Sequence, residues 1–282
     1  TCMVKKTLLS LAIAATAAGL AGCNTSDDYS VDTAAVTAGS AGSTPDRVTP
    51  VFNVARQNLP LATDFIFSGS TDGTIVYPAG DVDIFLADGS RNPEYNPVFD
   101  ALSDLDGFST AGQLFLKFSG PLAEEVAAGS VYLIPMNYVE GEDGGTGPKQ
   151  GVLDAENPLN VAGMAAIQAD VISYTDADAE NTVLRISPTT PLTNDTRYLV
   201  VVTDALIDAD GDPIKMSSQY KYLIGDEDLL NPALAPAREA MKGWYQLATA
   251  ALAGIGSDAT ATLAYTLTTG GTVEVSSVMA AP

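Results

Sequence analysis

The sequence predicts a mainly β protein, of the β-sandwich kind with a few helices, one of them near residues 233–253. Three observations carry this reading. Short runs rich in Val, Thr, Tyr and Leu recur between clusters of Gly, Pro and Asp, as strands joined by turns do. One of these runs, "TRYLVVVT" from Thr196 to Thr203, is β-branched and apolar enough for a sandwich core. After Asp228 the texture changes to an alanine-rich stretch whose apolar residues recur at helical spacing.

Folded structure is expected to begin near Val51. "DFIF", Asp64 to Phe67, precedes a turn-rich segment ending in Asp72-Gly73, which supplies the positive-φ position of a tight reversal, and Thr74 to Tyr77 then reads as a strand. Val98, Leu102 and Leu105 recur at helical spacing and predict a short helix. Leu114, Leu116 and Phe118 alternate with Phe115 and Lys117, the pattern of a strand buried on one side and stopped by Pro121. "SVYLIP" (130–135), Ile167 to Tyr174 and Thr182 to Ile186 read as further strands, and "NYVEGEDGGTGPKQG" as a glycine-rich surface loop. "DALIDADGDPIKMSSQYKYL" turns at Asp210-Gly211 and Pro213 before another extended run. Ala237, Met241, Trp244, Leu247 and Ala248 share one helix face, with Trp244 read as a core aromatic, and "ATLAYTLT" closes as a strand before Gly270-Gly271.

The N-terminus has a different character. Lys5 and Lys6 precede an uncharged run from Thr7 to Ala21, too short for a bilayer span of about 20 apolar residues. A charged start, an apolar middle and a small-residue end form an export signal, expected over residues 1–22. Leu20-Ala21-Gly22-Cys23 looks like a bacterial lipoprotein processing site, in which Cys23 is acylated and becomes the new N-terminus, tying the protein to a membrane. The alternative is an ordinary secretory signal with an incidental cysteine. Thr1 and Cys2 lie before a start at Met3. Residues 23–50 are Ser, Thr, Ala, Gly and Asp with almost no large apolar groups, the composition of a flexible acidic tether.

Composition narrows the function. The formal charge of −22 favours solubility and argues against nucleic acid, whose binders need clustered Lys and Arg. The chain contains no histidine, so a Ser-His-Asp or Cys-His site has no imidazole to move the proton. No G-x-S-x-G occurs. Gly107-Phe108-Ser109-Thr110-Ala111 comes nearest, with Ala111 in place of the last glycine, which makes Ser109 the obvious suspect if this segment itself cleaves esters. No catalytic residue is assigned. "DADGD" places Asp208, Asp210 and Asp212 at alternate positions around a glycine, an oxygen-rich turn of the sort calcium favours, though without the twelve-residue loop and final glutamate of an EF-hand. Its competing reading is a solvated hairpin turn. Beyond calcium at this turn, no cofactor is expected.

Several segments are familiar in combination. "NLPLATDFIFSGSTDGTIVYP", "NPVFDALSDLDGFST", "TPLTNDTRYLVVVTDALIDADGDPI", "NPALAPARE" and "LAYTLTT" resemble, in that order, the N-terminal region of bacterial virulence-factor lipases, surface or secreted lipases and lysophospholipases. The resemblance runs from about Val51 to Met279. It implies a β-rich region over 51–228 with a bacterial Ig-like segment at about 110–225. It also implies that 229–282 is a helix and strand leading to an α/β-hydrolase domain, which carries the nucleophilic serine and lies beyond Pro282. On that basis the chain is the non-catalytic leading part of an enzyme acting on lipid esters, anchored through Cys23 to the outer membrane. A stand-alone Ig-like surface lipoprotein used for binding or adhesion is the alternative, and ester hydrolysis by this segment itself is a third.

Overall fold

The computed structural model describes residues 47–56, 58–67, 74, 105–139, 152–173 and 180–271. The export signal, Cys23, the tether to Asp46, the predicted strand at 75–77, the helical spacing at 98–102, most of the glycine-rich loop and the residues after Gly271 lie outside them.

Eight strands and two α-helices make the described part mainly β, with every paired strand antiparallel. One sheet has the order β1 (Leu114–Lys117), β6 (Val183–Pro188), β5 (Ile167–Ile172). A second has the order β2 (Val131–Pro135), β7 (Arg197–Thr203), β8 (Ala261–Thr268), and a two-residue pair joins β3 (Tyr138–Val139) to β4 (Val152–Leu153). The alternation read in β1 is present: Leu114 and Leu116 are buried while Phe115 and Lys117 face outward.

Residues of both three-stranded sheets meet in one core. Leu114, Leu116, Leu184 and Ile186 come from the first sheet, and Leu133, Val200, Val202, Leu263, Tyr265 and Leu267 from the second. Phe52, carried in from the segment before β1, packs edge-on to Tyr220 at 5.9 Å and beside Tyr265 at 5.7 Å. The opposite side of the β2-β7-β8 sheet is also covered. Ile134, Leu199, Val201 and Ala264 pack there against Ala248, Ala251 and Leu252. This is why the strongest strand in the sequence lacks alternation: six consecutive residues of β7, Tyr198 to Thr203, are buried, and so is every residue of β8.

The alanine-rich stretch is α2 (Ala235–Gly254), as its spacing predicts. Small side chains let it lie close to the sheet, while Trp244 meets Phe65 edge-on at 5.4 Å. One expectation is overturned. The run expected to be extended after Pro213 contains α1 (Ser218–Ile224), a helix. The hydroxyl of Ser217 accepts the Tyr220 N–H and caps its start, and Tyr220 and Leu223, three apart, supply the buried face. The alternation in "QYKYL" resembles a strand, but the cap and the three-residue spacing decide the structure. Leu105, the last member of the predicted 98–105 helix, lies in non-helical chain, and "DFIF" forms one 3₁₀ turn, Asp64–Phe67.

Arg238 ties the two helices together. Its buried guanidinium donates to the carbonyls of Leu223 (3.1 Å) and Tyr222 (2.8 Å) in the last turn of α1 and to that of Glu227 just beyond it. β8, which follows the expected boundary at 228/229, pairs with β7 along its length, so a single sheet contains strands from both sides of that boundary.

Candidate functional site

Ser109 takes part in a local turn. Its Oγ accepts the N–H of Ala111 at 3.3 Å, a local turn contact, and the chain has no histidine to activate it.

The acidic turn is organised around its own backbone. Asp208 is buried, and its Oδ1 accepts the N–H groups of Asp210 (3.1 Å) and Asp212 (2.9 Å). Gly211 takes the left-handed conformation, φ +86°, that closes the reversal. The Asp212 carboxylate forms an ion pair with Arg47. Two of the three expected calcium ligands therefore have other partners. Among the described residues, no three Cys, His, Asp or Glu side chains converge as a metal set.

A buried ionic cluster that the sequence did not single out lies where β7 begins. Arg197 and Asp64 retain only 13% and 8% of their side-chain exposure, with Nε 2.9 Å from Oδ2. Arg197 also donates from Nη1 to the Tyr138 hydroxyl at 3.0 Å and from Nε to Thr268 Oγ1 at 3.3 Å, and its guanidinium lies over the Tyr138 ring. No described group gives either Asp64 oxygen a well-aligned hydrogen bond, so the carboxylate is held by charge attraction rather than by directional bonding. Burial alone would lower the Arg197 pKa, but Tyr138 and Asp64 beside it raise it above its ordinary value. Burial pushes the Tyr138 phenol up. The cluster joins β3, β7, β8 and the 64–67 turn, four elements distant in sequence. Its only sequence signal is a charged residue opening an otherwise apolar strand.

A second polar arrangement grips the end of β8. Phe108 donates its N–H to Thr268 O (2.7 Å) and accepts the Gly270 N–H (2.9 Å), running parallel to the outgoing chain. The Asp106 carboxylate accepts the Gly271 N–H with its two oxygens at 3.1 and 3.0 Å. From the other side, Thr269 Oγ1 donates to Thr193 O at 2.6 Å and accepts the Thr196 N–H at 3.0 Å.

These elements, from Phe52 in the core to Thr269 at the end of β8, are the stretch that a family model describes: the model for "bacterial virulence factor lipase N-terminal" matches residues 52–269. The chain belongs to that family. Comparison with curated proteins and with solved structures gave no match. The lipase N-terminal region thus includes the Arg197 cluster and nearly all of the grip on β8, and its matched span ends at Thr269, two residues before the amide that Asp106 holds. No described helix of this region is long and apolar enough to cross a membrane.

Proposed function

We propose that this lipase N-terminal region is the non-catalytic leading part of a lipid-anchored bacterial lipase or lysophospholipase, positioning or stabilising a serine esterase domain that acts on lipid esters. The family match over 52–269 carries the reading. The absence of histidine supports placing the chemistry elsewhere in the protein. Anchoring runs through Cys23, acylated after removal of residues 1–22, with the acidic 23–50 segment as tether and the outer membrane as location. One acyl chain binds a membrane only marginally, whereas multiple chains hold it. The sandwich arrangement, with an Ig-like segment at about 110–225, serves as a rigid spacer.

The test has two arms. Purified residues 24–282 should not hydrolyse short-chain esters or lysophospholipid, and turnover abolished by Ser109→Ala would overturn the reading. In bacteria fed a radiolabelled fatty acid, the chain should take up label and sediment with membranes, and Cys23→Ala should abolish both. The stand-alone surface lipoprotein is favoured by the outward side of β1, where the large ring of Phe115 faces solvent. Reading the coding sequence past Pro282 separates the two: a G-x-S-x-G stretch supports the lipase, a stop codon the binding module.

A further inference from the structure

We propose that Asp106 and Gly107 form a joint that fixes the course of the chain where it leaves β8. The inference rests on the proposed function in one respect, that the region it would orient is the esterase.

Pairing between β7 and β8 ends at Arg197 and Thr268, and beyond it Thr269, Gly270 and Gly271 include no large side chain to anchor in a core. The three residues are nonetheless held from both sides. Thr193 and Thr196 hold Thr269 through its hydroxyl, and Phe108 brackets Thr269 by hydrogen-bonding to Thr268 and Gly270 on either side of it. Asp106 then applies a full carboxylate to one exposed amide, that of Gly271, which water could have satisfied. The approach is close enough to constrain sequence. A Cβ on Gly107 would overlap the backbone of Gly270, and a Cβ on Gly270 would come within 2.7 Å of Asp106 Oδ1. The 106–108 segment is itself seated by the edge-on contact of Phe108 with Phe67 at 6.0 Å, so the grip on the outgoing chain is referred back to the core.

The arrangement transmits orientation: a polypeptide gripped over three residues leaves in one direction instead of pivoting at Gly270-Gly271. Amide exchange by NMR on the 282-residue chain tests this, comparing Gly270 and Gly271 with Tyr265 in the body of β8. Asp106→Ala should accelerate exchange at Gly271 by about tenfold or more while leaving Tyr265 unchanged. Asp106→Asn, which keeps one acceptor oxygen, should fall between. Gly107→Ala should accelerate both glycines. Unchanged exchange at Gly271 in Asp106→Ala would overturn the joint, and so would a uniform acceleration including Tyr265, because the carboxylate would then be an ordinary stabilising contact. Neither result depends on esterase activity, so failure of the joint and failure of the lipase reading are separately visible.

Discussion

The phenol oxygen of Tyr220 closes the outer edge of β8 at Ala264. It donates to the Ala264 carbonyl at 2.8 Å and accepts the Ala264 N–H at 3.1 Å, standing in for a neighbouring strand. An open edge invites pairing with another chain. Here one side chain from α1 occupies it, and Phe108 does the same further along at Thr268 and Gly270. Tyr220→Phe should therefore destabilise by about 1–3 kcal/mol, because it leaves a buried backbone donor and acceptor without partners. Urea unfolding measures this, and an unchanged midpoint would show that the edge needs no cap.

The same phenol sets an alkaline limit. Burial raises the pKa values of Tyr220 and Tyr265 well above the ordinary 10.0, and the Ala264 N–H donated to the Tyr220 oxygen pulls that value back only in part. The folded state thus keeps protons that the unfolded chain releases near pH 10. Stability is fully present below that pH and falls as pH rises through it towards the folded values. Thermal melts should show a flat region below about pH 9 and a steep decline above it. Tyr265→Phe should make the decline shallower.

Arg197→Met leaves the Asp64 carboxylate buried without its counter-charge and should cost about 3–5 kcal/mol. Adding Asp64→Asn should recover part of that loss. A double-mutant cycle by chemical denaturation reads the coupling, and strictly additive effects would deny that the two side chains act as a pair.

Asp208→Ala removes the acceptor shared by the Asp210 and Asp212 amides and should destabilise by about 1–2 kcal/mol. Millimolar calcium should leave the wild-type melting temperature unchanged, because Asp208 is committed to the turn and Asp212 to Arg47. A calcium-dependent rise that Asp210→Asn abolishes would establish the turn as a metal site.

What the sequence disclosed follows from the range of the forces involved. β1 was legible because its solvent side and core side alternate, β7 because it is apolar on both faces, and α2 because buried residues recur at helical spacing along a 20-residue helix. α1 was misread because seven residues offer too little period to outweigh a local alternation, and its cap, Ser217, is an unremarkable serine until the Tyr220 amide is placed beside it. The "DADGD" turn was seen as a turn, but composition alone could not tell a carboxylate facing a cation from one facing its own backbone. The Arg197 cluster was out of reach for a different reason. Asp64, Tyr138, Arg197 and Thr268 come together only through tertiary folding, and none carries a local signal of its partners.

Burial of β8 throughout, and of β7 after Arg197, dictates where recognition can evolve. A sheet lined on both sides offers no plane to a visitor, so substitutions there trade only in stability. Diversity in what this region touches must accumulate on the far side of β1, β6 and β5, around Phe115 and the Asp170–Arg185 pair, or in the connecting segments. Variation among relatives should map to that outer wall and spare the inner one.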